Sequence, residues 1–242
     1  MAIYYAMSDI HGCLDEFLTA LEKVDLSTSK NRLFLLGDYI DNGSDSYQVL
    51  EKIRELESIY PNQVTTLLGN HDEWFYHWLI TEDINTECFP ETIKSFFSLD
   101  ELTQLLQKNP KQFEETIRTE IKSNPRFAPF INWFNKKFQE PRYIETDWQI
   151  FVHAGIDEEA GVFWKEGTDP KMFTNKFPVT TGKFLKDIIS GHVSSSQIAH
   201  NEEYLGKIFF DKHNHYFIDG TVDRSKVIPV LEFDTTTQTY NY

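Results

Sequence analysis

Arg32-Leu33-Phe34-Leu35-Leu36-Gly37-Asp38-Tyr39-Ile40-Asp41 runs apolar after its arginine, halts at a glycine and turns acidic one residue later. A short apolar run bounded by a turn reads as a buried strand, and Leu50, Ile53 and Leu56 then line one face of a helix. The pattern has a copy on either side. Ile3 to Met7 is a strand that ends near Asp9-Ile10-His11-Gly12, ahead of a helix marked by Leu14, Phe17, Leu18, Leu21 and Val24. Val64 to Leu68 is a strand that ends at Gly69-Asn70-His71-Asp72, ahead of a helix bearing Trp74, Phe75, Trp78 and Leu79. Residues up to 82 therefore alternate strand and helix, which predicts an α/β layer. Each island of acid, amide and histidine falls at the carboxyl end of a strand, the edge where ligands collect in such sheets.

Outward from this core the pattern changes twice. Residues 83–142 read as a helical insertion, a lid or a flanking layer. Ser98 with Glu101 forms a capping box there, Asn109-Pro110 opens a helix carrying Phe113, Ile117 and Ile121, and Phe130, Ile131 and Phe134 mark another. Strands then return. Trp148 to Val152 runs into His153-Ala154-Gly155, and Asp187 to Ser190 runs into Gly191-His192. Ile208 to Phe210, Tyr216 to Ile218 and Val227 to Phe233 are spaced as one antiparallel second sheet, and the Thr-rich tail after Asp234 is expected to be loosely attached.

Length and composition set bounds on all this. A chain of 242 residues with 40% hydrophobic content suits a single domain, 1–242, with a sizeable core. A net charge of −15 argues against non-specific nucleic-acid binding, since no broad basic surface is available to phosphates. Cys13 and Cys88 give neither a disulfide framework nor a paired-cysteine metal motif, and no apolar run is long enough to span a membrane. A cytoplasmic location without membrane partners is the expectation.

The islands carry the chemistry. Asp9 and His11 lie two residues apart, so on extended backbone their side chains share a side and can grip one ion. Asp38 and Asp41 occupy a loop flanked by Gly37 and Gly43, where short acids otherwise favour turns. Asn70 could cap the next helix, or its carbonyl oxygen could serve as a neutral ligand. His153 and His192 each end an apolar strand, His153 two residues before Gly155 and His192 directly after Gly191. Any one of these is weak evidence. Five in order, all at strand ends, point to a pair of transition-metal ions held by hard oxygen and borderline nitrogen donors.

In order along residues 9 to 192 the islands read Asp-x-His-Gly, Gly-Asp-x-x-Asp, Gly-Asn-His-Asp, His-Ala-Gly and Gly-His. The series resembles the calcineurin-like metallophosphoesterase superfamily. Within it, the series is similar to the bacterial phosphoprotein-phosphatase-like branch of serine/threonine phosphatases and symmetrical dinucleoside tetraphosphatases. The resemblance extends to Tyr216-Phe217-Ile218-Asp219. It implies an α/β (α+β) fold, two mixed β-sheets packed as a sandwich flanked by helices. It also implies two divalent metal ions, manganese first, with iron, zinc and cobalt as alternatives. Asp9, His11 and Asp38 would hold one metal, and Asp38 would bridge to a second that Asn70, His153 and His192 complete. His71 would be the general acid or leaving-group stabiliser, oriented by Asp41. The implied reaction is in-line attack of a metal-bridging hydroxide on the phosphorus of a phosphorylated protein or nucleotide.

The chain departs from the pattern at one function. The superfamily carries an arginine where Asn42 stands, and a second shortly after a tryptophan downstream of His153. Here that neighbourhood reads Phe163-Trp164-Lys165-Glu166. Asn42 and Lys165 are substitutes for phosphate binding, though lysine lacks the arginine fork. Arg126 and Arg142 of the insertion are the other candidates. Three functions follow in order: a phosphomonoesterase resembling bacterial serine/threonine phosphatases, a hydrolase of symmetrical dinucleoside tetraphosphates or other nucleotides, and a catalytically weak metal-binding scaffold.

Overall fold

Chain order in the computed structural model, which describes residues 2–82 and 89–242, gives strands β1 (Ile3–Met7), β2 (Arg32–Leu35), β3 (Val64–Thr66), β4 (Tyr143–Glu145), β5 (Gln149–Val152), β6 (Asp187–Ser190), β7 (Phe209–Phe210), β8 (His215–Phe217), β9 (Leu231–Asp234) and β10 (Thr239–Asn241). Cys88 and the first residues of the expected insertion, 83–88, lie outside the described residues. The strands form two mixed sheets, ordered β10-β9-β1-β2-β3 and β4-β5-β6-β8-β7. In the first, β1, β2 and β3 are parallel, β9 pairs antiparallel with β1, and β10 pairs antiparallel with β9. In the second, β5, β6 and β8 are parallel while β4 and β7 close the edges antiparallel.

The two-residue period of a strand explains how the layers stack. Tyr5, Met7, Leu33 and Leu35 point to one side, where Phe17 of α1 (Leu14–Leu21) and Val49, Leu50 and Ile53 of α2 (Ser46–Ile59) bury their apolar faces. Ala6, Phe34 and Leu36 point to the other side and meet Phe151, Ile189 and Ile218 of the second sheet. Phe34 and Phe151 sit with ring centroids 4.3 Å apart across that interface. Beyond the second sheet, Ile150, Val152 and Ile188 pack against Trp164 and Phe173. The result is a sandwich of two sheets with helices outside, as the sequence implied.

α3 (Asn70–Tyr76) follows β3, and the insertion adds α4 (Pro90–Ser95), α5 (Leu99–Lys108), α6 (Phe113–Ser123) and α7 (Ala128–Gln139). Ser98 and Glu101 make the expected reciprocal box, with the Ser98 amide donating to Glu101 at 2.7 Å. Ile117, Ile121, Phe130 and Phe134 join the same core as α1 and α2.

Two expectations fail. The last three strands are not one sheet: β9 crosses back to pair with β1, register Tyr4↔Phe233, so that Leu231 is buried between the sheets. The Thr-rich tail is also ordered. Thr239–Asn241 forms β10, and the Tyr240 hydroxyl donates to Asp187 at 2.7 Å in the opposite sheet. Long-range pairing with β1 fixes β9, and β10 folds back on it as a hairpin, register Thr239↔Asp234, where β-branched threonine is at home.

Candidate metal centre

The carboxyl ends of β1, β2, β3, β5 and β6 meet in one cleft. Their loops are interlocked by backbone bonds: Asp9 N–H to Gly37 at 3.0 Å, His11 N–H to Asp38 at 2.9 Å, and Gly191 N–H to His153 at 2.8 Å. Asp9, His11, Asp38, Asp41, Asn42 and His192 all take left-handed backbone, with φ between 47° and 70°. Asp, Asn and His are the non-glycine residues that tolerate this region best, yet each still costs about 1–3 kcal/mol where it is enforced. The same crowding explains two glycines. A Cβ on Gly69 would collide with the Asp38 carboxylate, and one on Gly191 with Asp9.

The imidazoles are fixed by carbonyls. His11 Nδ1 lies 2.9 Å from the Ile40 oxygen and His153 Nδ1 lies 2.9 Å from the Leu36 oxygen. A carbonyl only accepts, so each Nδ1 carries a proton, and Nε2 is the nitrogen turned toward the cleft, able to ligate a cation that displaces any proton on it. Those Nε2 nitrogens face oxygens. His11 Nε2 is 3.8 Å from Asp38 Oδ2 and 4.0 Å from Asp9 Oδ1; His153 Nε2 is 3.5 Å from Asp38 Oδ2. Asn70 Oδ1 stands 2.9 Å from both His153 Nε2 and His192 Nδ1.

Lone pairs that converge this closely call for positive charge between them, and the electrostatics agree. Burial, aided by the charge of Asp38, pushes Asp9 up to about 6. Burial alone would lower His153, but Asp38 and Asp9 raise it to about 10. Burial and the charge of His153 depress His192 to about 4. Asp38 stays low despite burial because His153, His11 and His71 surround it. The donor set therefore fits cations. Two groups, His11 with Asp38 and His71, and Asp38 with His153 and His192, each have donor atoms within 4.8 Å of one another and share Asp38. The sequence reading placed Asp9 in the first group and gave His71 another role. Asp9 lies at that group's edge and accepts the His192 amide at 3.1 Å.

His71 is held differently. Its Nδ1 is 2.7 Å from Asp41 Oδ2, and its backbone amide donates to Asp38 at 3.0 Å. Burial would lower its pKa, but the bond to Asp41 and the charge of Asp38 raise it to about 9. Asp41 is pinned in turn by the insertion. Thr92 of α4, fully buried, donates to Asp41 Oδ1 at 2.6 Å and accepts the Asp41 amide at 3.0 Å.

Sequence reasoning missed Thr92 and two carboxylates. Asp72 accepts the amides of Asp38 at 2.8 Å, Gly69 at 2.9 Å and Tyr39 at 3.1 Å, which fixes the Asp38 loop. Its position three residues after the N-cap Gly69 was the available signal. Asp219 is buried beside Asp9 and accepts the Thr221 amide at 2.7 Å; burial and the charge of Asp9 raise it to about 7.

The proposed phosphate grips fare worse. Arg142 donates to Glu73 at 2.5 Å and to the carbonyls of Lys137, Phe138 and Glu140, so it closes the end of α7. Arg126 donates to Glu101 and the Phe96 carbonyl and lies over Phe127. Lys165 pairs with Glu145 at 2.5 Å. The structure brings none of the three to the cluster. Asn42 does sit beside it, exposed, between Asp41 and Gly43, whose amide bonds to His11.

Packed sheets with a shared-carboxylate donor set at their strand ends are the build of a metal-dependent hydrolase. The family model described as calcineurin-like phosphoesterase matches residues 4–219, and this chain belongs to that family. A protein named symmetrical bis(5'-nucleosyl)-tetraphosphatase from Buchnera aphidicola subsp. Acyrthosiphon pisum (strain Tuc7) is 40% identical over 159 residues, covering 64% of this chain and 45% of that protein. One of the same name from Stutzerimonas stutzeri (strain A1501) is 43% identical over 68 residues, or 28% of this chain and 23% of that protein. The chain thus spans under half the length of these relatives. A protein serine/threonine phosphatase structure from Saccharomyces cerevisiae shares the fold, with a TM-score of 0.60 at 15% identity over 96% of this chain and 72% of that one. Among the described residues, no helix is long and apolar enough to cross a membrane.

Proposed function

We propose that this chain hydrolyses phosphoric esters or anhydrides with two divalent cations, manganese by first preference. Asp9, His11 and Asp38 would hold one, and Asp38, Asn70, His153 and His192 the other. Such a pair supplies charge that neutralises phosphoryl oxygens and acidifies water near neutral pH. The chain's own residues supply the rest. His71, with Nδ1–H held by Asp41, offers Nε2–H to the departing oxygen. Thr92 keeps Asp41 aimed at the ring, and Asp72 fixes the Asp38 loop by accepting the Asp38, Tyr39 and Gly69 amides. The carrying observation is that Asp38 belongs to both donor groups.

Substrate class divides two readings. Relatives named for symmetrical dinucleoside tetraphosphates support a nucleotide anhydride as substrate, which moves that reading ahead of the phosphomonoester reading drawn first from the sequence. The monoester reading keeps one observation in its favour. A histidine whose Nδ1–H is held by Asp41 at 2.7 Å, leaving Nε2–H for the departing oxygen, suits a poor alkoxide leaving group, whereas a nucleotide phosphate departs with little help. Turnover of diadenosine tetraphosphate and of a phosphoserine peptide, measured alongside bound metal, separates them. A chain that binds two manganese ions and cleaves neither ester nor anhydride would leave only the scaffold reading.

A further inference from the structure

A chain with net charge −15 must find cationic side chains for a polyanionic substrate, and its arginines are few enough to follow one by one. Arg32 donates to the Ser29 and Asn31 carbonyls, Arg54 pairs with Glu51, and Arg118 lies against Trp78 and Glu114. Arg126 is committed within the insertion, and Arg142 to the end of α7 and to Glu73 of α3. Arg224 differs in place and in partner. It follows β8 on the cleft side and meets Glu202 at 3.1 Å, with both side chains more than half exposed. A pair this solvated is weakly held and exchanges readily for a better anion.

Arg224 lines a groove of about 510 Å³ together with Ser194, Ser196, Gln197, His200 and Thr221. The groove shares a wall with the metal centre. Ser194 is two residues past His192, the Ser195 amide donates to the Asp219 carbonyl at 3.0 Å, and the Thr221 amide donates to the Asp219 carboxylate. Thr221 is held at φ 55°, ψ 60°, a conformation that a β-branched residue adopts only under constraint. Its hydroxyl reaches Ser194 at 2.6 Å, and Ser194 reaches Ser196 at 3.0 Å. Strain of this kind gathers where a surface is shaped for a ligand. The lining offers hydroxyls, side-chain amides, an imidazole and a guanidinium, with the Glu202 carboxylate paired to that guanidinium, and no Phe, Tyr or Trp on which a base could stack, so it suits phosphate better than a nucleobase.

We propose that this groove is the subsite for the polyphosphate arm of a nucleotide substrate beyond the bond that is cut, with Arg224 as its phosphate-gripping residue. The assignment rests on the phosphoesterase reading above and adds to it the part of the substrate that an aryl phosphate lacks. Glu202 opposes the same anion, so its removal should act in the opposite direction.

The test uses the full chain with Arg224→Met and Glu202→Gln. In the manganese-loaded enzyme, the ratio of kcat/KM for diadenosine tetraphosphate to that for an aryl phosphate should fall about tenfold in Arg224→Met, the scale of one charge-assisted contact, and rise in Glu202→Gln. Inorganic tripolyphosphate titrated into the metal-free chain should bind about tenfold more weakly to Arg224→Met. An unchanged ratio with unchanged tripolyphosphate binding overturns the subsite while leaving the phosphoesterase reading intact. If the unaltered chain turns over neither substrate, that reading fails, and tripolyphosphate binding alone decides the groove.

Discussion

The cleft loops and the helical insertion are opposite kinds of structure in one chain. Six cleft residues hold left-handed backbone, whereas none of the described residues from 89 to 142 does. Cleft side chains are polar, buried and short of countercharge. The insertion buries Ile117, Phe127, Phe130 and Phe134 in ordinary apolar packing, and its arginines serve its own helix ends and neighbours. The cleft is thus held in costly conformations by its neighbours, Asp72 above all, while the insertion rests in conformations its sequence already prefers. Chemistry and stability have been assigned to different stretches, joined where Thr92 reaches Asp41.

That division can be broken most severely at Asp38. Asp38→Asn should abolish measurable turnover, a loss above about 10⁴-fold on the scale of removing a whole catalytic unit, with bound metal falling in the same preparation. Full activity in a variant stripped of metal would end the two-cation reading. His71→Asn should retain metal yet lose about 10²–10⁴-fold on an alkyl phosphate, and less on a nucleotide anhydride. The sign of its pH dependence follows from the raised pKa. His71 is a working acid below that value and fails as pH rises through it, so the alkaline limb of the rate profile belongs to it. Asp41→Asn removes a group that raises the pKa and should move that limb to lower pH; an immobile limb would assign it to some other group. Bound cations near Asp38 pull the same limb downward in every variant.

Thr92→Val probes the joint between the two regions. It should lower kcat about 10-fold or more, as loss of an orienting partner does, with metal content unchanged. A loss of metal instead would show that the insertion supports the ligands and not the acid. Phe134→Leu should disturb chemistry least. Its unfolding free energy should drop by up to about 1.5 kcal/mol at constant kcat, read from denaturant midpoints.

Much of this was legible in sequence because strand, glycine and ligand lie within a few residues of each other. Asp9, Asp38, Asn70, His153 and His192 each announce themselves locally, as does the Ser98–Glu101 box. What stayed hidden was set by distant partners. Thr92 lies 51 residues from Asp41, and Tyr240 lies 53 from Asp187, so neither contact leaves a trace in local periodicity. The arginines misled for the same reason. Charge type can be read from one position, but whether Arg142 faces a substrate or Glu73 depends on how α7 docks.

The cleft also draws its side chains unequally from the two sheets. Asp9, His11, Asp38, Asn70 and His71 all follow strands of the first, whereas His153 and His192 follow strands of the second. A chain caught with its halves undocked is therefore already furnished on one wall and bare on the other. The enclosure of Asp38 is thus a property of the docked sandwich, since His11 and His71 come from one wall and His153 and His192 from the other.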